Sequence, residues 1–268
     1  MNMVTLNYGH YNRLGNIMFI WAAAGIFCKK HNFKLNMPRT LPKFKNKPDD
    51  PEPVSTGFGE LDSSIQVQYE FGTRCFEEPT IVVNNKNYLP LLKAEYIMDA
   101  RYFFEDYFQL KEIITEYRDE IKQIYKCKFI ERDPREVFVA FRLGDATFSR
   151  ARLPKEYYEN ALTRLYDTGC NGGYITSENL EHPDVQYLIN KFGLKPYVNY
   201  TPLEKINFAK DFNNLVLSEG SFSFWIGMLS NAQNVYINDR RHIWSWHGDI
   251  FVIPEWKRLC YDSPDLPG

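Results

Sequence analysis

The sequence predicts an α/β protein of two domains, and three observations favour this. The length of 268 residues accommodates two domains of about 100–150 residues each. In the second half of the chain, short apolar runs alternate with helical segments, which is typical of parallel strands covered by helices on both faces. A charged, proline-interrupted segment at residues 131–136 precedes that half, so we predict domains at residues 1–133 and 134–268.

The first half opens with a strand, a loop and a helix. Residues 3–6 predict a short strand that stops at a glycine-containing turn, and the apolar run after it predicts a buried helix over residues 17–30. Five prolines between residues 38 and 60 predict a surface loop. From residue 105 to residue 126 apolar residues recur at three- and four-residue steps, which predicts one amphipathic helix.

The second half predicts strands and helices in alternation. Because ligands bind beyond the carboxyl ends of parallel strands, the residues after each strand are the candidates for function. The predicted strands are residues 137–141, 174–176, 215–217 and 235–237, and the predicted helices lie near residues 155–167, 182–192, 203–211 and 221–231.

Composition excludes several classes of function. The 32 Lys and Arg against 34 Asp and Glu give a formal charge of −2, which provides no general attraction for a nucleic-acid backbone. The five cysteines are widely spread and typical of reduced thiols, and the longest apolar run is shorter than the roughly 20 residues of a membrane-spanning helix. We therefore expect a soluble, cytoplasmic protein with no nucleic-acid partner and no transmembrane segment.

One loop with candidate chemistry follows the apolar strand at residues 137–141. Its first residue, Arg142, carries a planar guanidinium that can bind two phosphate oxygens at once. Asp145 can orient this guanidinium. The alternative is a local ion pair between the two side chains that caps the strand.

Two further glycine-containing loops each open a helix. Residues 218–225 place backbone N–H groups at a helix start, together with the hydroxyls of Ser221 and Ser223, where they suit an anion such as a pyrophosphate. The alternative is a serine helix cap. Residues 12–16 form the third loop, with simple helix entry as the alternative. The chain contains no GxxxxGK[ST] motif and no GxGxxG in its first loop, so an ordinary kinase, ATPase or dinucleotide dehydrogenase has no support.

In their order and spacing, five segments resemble the α-1,2-fucosyltransferases of glycosyltransferase family 11. The family's motifs are G-x-R-L-G-N-Q-M-F, H-x-R-R-G-D, L-P-x-x-Y-Y, F-S-D-D and N-S-S-F-S-W-W. The matching segments are residues 11–19 (YNRLGNIMF), 140–145 (AFRLGD), 153–158 (LPKEYY), 175–178 (ITSE) and 219–225 (EGSFSFW).

The resemblance implies a GT-B fold, in which two Rossmann-like domains face a central cleft. The N-terminal domain would lie on the acceptor side, and the C-terminal domain would bind the nucleotide sugar. The implied reaction is inverting transfer of fucose from GDP-fucose to a hydroxyl of a glycan acceptor, with no essential metal and no other cofactor. The absence of a D-x-D sequence after a strand agrees with metal independence.

The resemblance also implies roles for individual residues. Arg142 would contact the β-phosphate, and it is a catalytic candidate because it stabilises the charge that develops on GDP. Asp145 is the second catalytic candidate, either as the base or as the partner of Arg142; Glu178, His10 or the leaving phosphate could also take the acceptor proton. The donor-binding candidates are Arg13, Gly15, Asn16, Arg142, Ser177, Glu178, Ser221, Phe222 and Ser223, of which Ser177 and Glu178 would lie near guanine or ribose.

Departures from the motifs keep two alternatives open. The chain has Ala140 in place of the histidine, Leu143 in place of the second arginine, Ile17 in place of the glutamine and Gly220 in place of the first serine. The alternatives are a different GDP- or other nucleotide-sugar donor, and a catalytically silent carbohydrate-binding protein. For the acceptor, His10 and Tyr11 beside the first loop and Trp246 near the C-terminus are candidates, with core packing as the alternative for the tryptophan.

Overall fold

The computed structural model describes residues 3–6, 14–38, 67–70, 79–125, 128–143, 152–198, 201–239 and 250–261. The chain divides into two compact units, Met1–Cys127 and Lys128–Gly268. Each unit contains one parallel sheet, which confirms the predicted α/β class with two Rossmann-like domains. The predicted boundary between residues 133 and 134 lies in the coil before the first strand of the second unit.

The first unit has a five-stranded sheet in the order β3-β2-β1-β5-β4. All its strand pairs are parallel. The strands are β1 (Met3–Leu6), β2 (Lys34–Pro38), β3 (Val67–Glu70), β4 (Thr80–Val83) and β5 (Arg101–Phe104), and the helices are α1 (Leu14–His31), α2 (Tyr88–Lys93), α3 (Lys111–Glu116) and α4 (Arg118–Ile124).

Helix α1 is the central helix of this unit. Every residue from Ile17 to Cys28 is buried, as expected of a helix that is apolar on all sides. The helix ends at His31. The next residue, Asn32, has φ 55°, and the Phe33 N–H closes the helix end by donating to the Cys28 carbonyl at 3.0 Å. Among the described helices, none is both long enough and apolar enough to cross a membrane.

The single amphipathic helix predicted from residue 105 to residue 126 is wrong in its extent. The structure has two short helices, α3 and α4, which break at Tyr117 with φ −121° and ψ 27°. The segment before them is not helical, because Phe108 adopts φ 54° and its N–H donates to Asn85 Oδ1 at 3.1 Å. The apolar periodicity reflects two successive helices that bury the same side of the chain.

The second unit has a six-stranded parallel sheet in the order β8-β7-β6-β9-β10-β11. The four strands and four helices predicted for this half are all present, and two short strands, β8 and β11, add to them. The strands are β6 (Val137–Ala140), β7 (Gly173–Thr176), β8 (Leu194–Pro196), β9 (Asn214–Leu217), β10 (Asn234–Asn238) and β11 (Lys257–Leu259), and the helices are α5 (Lys155–Asp167), α6 (Pro183–Phe192), α7 (Pro202–Ala209) and α8 (Ser221–Leu229).

Aromatic side chains hold helices against both faces of this sheet. On one face Tyr157 of α5 is fully buried, and its hydroxyl lies 2.8 Å from the Leu217 carbonyl and 3.0 Å from the Tyr236 carbonyl. On the other face the ring of Phe208 in α7 lies 5.1 Å from the ring of Tyr174 in β7. Buried aromatic side chains therefore pack helices against both faces of the sheet.

Candidate active site

The strand order of the second unit defines where a ligand can bind. When the strands are numbered from β6, their order in the sheet is 3-2-1-4-5-6, as in a Rossmann sheet. Successive strands are added on one side of β6 and then, from β9 onwards, on the other side, so the point of reversal lies between β6 and β9. These two strands pair in parallel from Val137 opposite Asn214 to Ala140 opposite Leu217. The loops that follow them therefore meet at one sheet edge, and they are two of the three loops that the sequence singled out.

Arg142 and Gly220 touch across this edge. Arg142 Nη1 donates to the backbone carbonyl of Glu219 at 3.1 Å. Gly220 adopts φ 110° and ψ 160°, a region that residues with a side chain rarely occupy. A Cβ at this position would lie 2.3 Å from Arg142 Nη1 and 3.4 Å from Cζ. Glycine in place of the motif's serine thus lets the guanidinium lie against the backbone just before α8.

Helix α8 begins at Ser221 without a side-chain cap. Its first hydrogen bond runs from the Phe224 N–H to the Gly220 carbonyl at 3.1 Å, so the preceding N–H groups have no partner within the helix. These N–H groups form the positive end of the helix dipole. Together with Arg142, they give this edge positive charge and N–H donors, a combination that can attract an anion.

The three predicted donor-binding residues at the start of α8, Ser221, Phe222 and Ser223, differ in their exposure. Ser221 and Phe222 are half-buried at the helix start. Ser223 is buried, and its Oγ lies 2.7 Å from Ser218 Oγ, so its hydroxyl already has a partner within the protein. Direct phosphate contact by Ser223 remains a prediction, and the hydroxyl pair fixes α8 to the end of β9.

Glu178 joins the end of β7 to the end of β6. Its Oε2 accepts a hydrogen bond from the Leu143 N–H at 2.8 Å. The preceding residue, Ser177, accepts a hydrogen bond from the Asn179 N–H at 3.4 Å. The carboxylate predicted to lie near guanine or ribose is therefore held beside the Arg142 loop, at the same sheet edge.

Two polar side chains near Arg142 were not assigned a role from the sequence. The ring of Tyr158 stacks on Phe141 with 4.3 Å between ring centroids, and burial raises the pKa of its hydroxyl far above the ordinary value. Asn238, at the end of β10, donates through Nδ2 to Glu219 Oε1 at 3.1 Å. The L-P-x-x-Y-Y match contains Tyr158, whereas no motif pointed to Asn238.

In the first unit, the described part of the predicted site is the start of α1. Gly15 is buried, and Asn16 Oδ1 accepts a hydrogen bond from Gln109 Nε2 at 3.1 Å. Gln109 follows β5, the neighbour of β1 in the sheet. Asn16 is therefore held at the carboxyl edge of the first sheet, and its contact with a donor remains a prediction.

Several predicted site residues lie outside the described residues. No geometry is assigned to them, and their roles remain predictions. Within the described ranges, no group of three or more His, Cys, Asp or Glu side chains is placed to bind a metal ion. The predicted residues outside these ranges are His10, Tyr11, Arg13, Asp145 and Trp246.

Solved structures show which fold these units belong to, although no protein-family model and no curated protein matches the chain. The NodZ α-1,6-fucosyltransferase, in a crystal soaked with GDP-fucose, matches with a TM-score of 0.53 at 10% identity, over 86% of this chain and 93% of that chain. The heptosyltransferase WaaC of E. coli, with ADP, matches with a TM-score of 0.51 at 8% identity, over 89% of this chain and 87% of that chain. The chain thus has the GT-B type of fold, and both of these similar structures are glycosyltransferases.

Proposed function

We propose that this protein is an inverting glycosyltransferase that transfers fucose from GDP-fucose to a hydroxyl of a glycan. The contact of Arg142 with the Glu219–Gly220 turn carries the proposal, because it holds a permanent cation beside the start of α8. A cation and N–H donors in this combination can stabilise the charge on a diphosphate leaving group. The five ordered motifs and the fold shared with NodZ support fucose as the sugar.

The proposed reaction proceeds by attack of the acceptor oxygen on C1 of the sugar. The C1–O bond to the β-phosphate breaks on the opposite face, and negative charge develops on that phosphate oxygen. Arg142 and the first N–H groups of α8 stabilise this charge, in the role that a divalent cation has in metal-dependent transferases. Asp145 is the proposed base for the acceptor proton, and transfer of this proton to the leaving phosphate is the alternative.

Residues of the first unit are part of the proposal as well. Arg13, Gly15 and Asn16 would contact the donor, and His10 and Tyr11 would contact the acceptor. A cytoplasmic location is part of the proposal, since the cysteines are predicted to be reduced thiols. Membership of the α-1,2-fucosyltransferase family remains the more specific form of the proposal.

A donor screen tests the proposal directly. We expect slow release of GDP from GDP-fucose, and faster release when an oligosaccharide acceptor is added. GDP-mannose and UDP-glucose serve as comparison donors, with free nucleotide measured in each reaction. Turnover of another donor in preference to GDP-fucose would change the sugar, binding without any turnover would favour the catalytically silent alternative, and no binding of any donor would refute the proposal.

We expect Gly220→Ala to weaken GDP binding by at least about tenfold, since a Cβ 2.3 Å from Nη1 forces Arg142 out of its position. Titration calorimetry with GDP measures this effect. Gly193→Ala is the matched control, because Gly193 also has positive φ (61°) but nothing lies within 4 Å of a Cβ placed on it. Equal GDP affinities for the two variants would contradict the expectation.

A further inference from the structure

A half-buried lysine that no motif singled out lies at the same sheet edge. Lys205 is on α7, which connects β8 to β9 and therefore begins at the carboxyl edge of the sheet. One turn further along, Phe208 stacks on Tyr197 with 3.9 Å between ring centroids and contacts Tyr174 of β7. Side chains three residues apart share one helix face, so Lys205 lies on the sheet-facing side of α7.

Lys205 lies near enough to Glu178 for the two charges to interact, and no ion pair joins these two described residues. Burial lowers the pKa of the Lys205 ammonium, and the nearby Glu178 carboxylate partly offsets this. Among the described residues, neither a hydrogen bond nor an ion pair engages the Lys205 Nζ, and Glu178 uses one carboxylate oxygen for the Leu143 N–H. The two opposite charges thus stand near each other with a gap between them.

A third polar group points towards a ligand at this place. Thr176, the last residue of β7, is 5% exposed, and its Oγ1 has no hydrogen-bond partner among the described residues. Because side chains alternate along a strand, Thr176 lies on the same face as Tyr174, the face that α7 covers. A buried hydroxyl without a hydrogen-bond partner is destabilising, and a ligand atom at this position would offset that cost.

We infer that Lys205 and Glu178 bind the polar edge of a guanine base, Lys205 donating to O6 and Glu178 accepting from N1–H. This inference rests on the proposed function and adds the side chains that select the nucleotide. Glu178 is held next to Arg142 through Leu143, so the base end of the site adjoins the diphosphate end. Thr176 ends β7 two residues before Glu178, and its buried hydroxyl is a third polar group available to the base.

The same arrangement disfavours adenine. In the same pose, adenine presents an amino group where guanine has O6, so the Lys205 ammonium would meet another donor. It also presents an unprotonated N1 where guanine has N1–H, so Glu178 would meet another acceptor. A site with buried polar groups rejects a ligand that leaves them unpaired. Lys205 is therefore a specificity-determining residue.

Titration calorimetry with GDP, IDP and ADP tests this inference. IDP keeps O6 and N1–H and lacks only the exocyclic amine, so we expect GDP and IDP to bind with similar affinity and ADP at least about tenfold more weakly. Lys205→Met is expected to weaken GDP and IDP about tenfold while leaving ADP within about twofold. Glu178→Gln is expected to act in the same direction.

Lys191→Met is the matched control, since Lys191 lies on α6 in an exposed ion pair with Glu159. It removes the same charge from the same unit and is expected to leave all three affinities unchanged. Thermal melting of each variant checks that the unit stays folded. Equal binding of GDP and ADP, or equal losses for both in Lys205→Met, would overturn the base assignment and leave the donor site standing. Failure of all three nucleotides to bind would refute the proposed function as well.

Discussion

Arg142→Ala is expected to lower the rate of sugar transfer by about a thousandfold and to leave the protein folded. The guanidinium is the permanent cation that lies against the start of α8, and alanine removes its charge from the position of the leaving phosphate. Because this charge interacts most strongly with the transition state, kcat is expected to fall more than KM rises. Steady-state kinetics with GDP-fucose and an acceptor measure both constants.

Arg152→Ala provides the control for this experiment. Arg152 is also a partly buried arginine of the second unit, and its Nη2 lies 2.9 Å from Asp184 Oδ2 near the start of α6. Its loss is expected to change stability slightly, by about 1 kcal/mol or less, and to leave kcat within about twofold. Transfer by Arg142→Ala within a factor of ten of the unchanged protein would remove Arg142 from the mechanism.

Gly173→Ala is expected to destabilise the second unit by about 3–5 kcal/mol, the largest stability effect that we predict. Gly173 begins β7 with φ 126°, and a Cβ there would lie 2.0 Å from the Val137 carbonyl oxygen and 2.5 Å from the Val137 nitrogen. Val137 is the partner of Gly173 in the β6–β7 pair. Since both clashes are with backbone, no side-chain rotation relieves them.

Gly169→Ala separates backbone strain from this clash. Gly169 has φ 97°, and nothing lies within 4 Å of a Cβ built there. We therefore expect only the strain of the left-handed region, about 1–2 kcal/mol. Urea unfolding of the two variants measures the difference. Equal midpoints at equal slope would show that the strand pair accommodates a side chain at position 173.

Parallel strands that are buried on both faces are the elements that the sequence predicts best. β6 and β9 are apolar runs followed by a turn. In an α/β chain, a run of this kind has few structural interpretations other than a buried strand. β8 and β11 escaped prediction because two of the three residues in each are exposed, so neither shows an apolar run. The break at Tyr117 escaped because an apolar stripe does not report backbone angles.

The candidate site was predictable only in part, because local sequence patterns do not report contacts between distant residues. Arg142 and Ser221 follow apolar strands. Both were therefore predicted from the rule that ligands bind beyond the carboxyl ends of parallel strands. The contact between Arg142 and the turn before α8 joins residues 77 positions apart and depends on the positive φ of Gly220, which no local pattern encodes. Lys205 lies inside an ordinary amphipathic helix, and only the fold brings it to the sheet edge.

The close approach of Arg142 to Gly220 makes these two positions epistatic. Serine or alanine at position 220 is compatible only with a different side-chain orientation at position 142, because the Cβ and Nη1 would otherwise lie 2.3 Å apart. In a double-mutant cycle, Gly220→Ala combined with Arg142→Ala should be less harmful to stability than the sum of the two single changes. The effect of a change at one of these positions is thus expected to depend on which residue occupies the other.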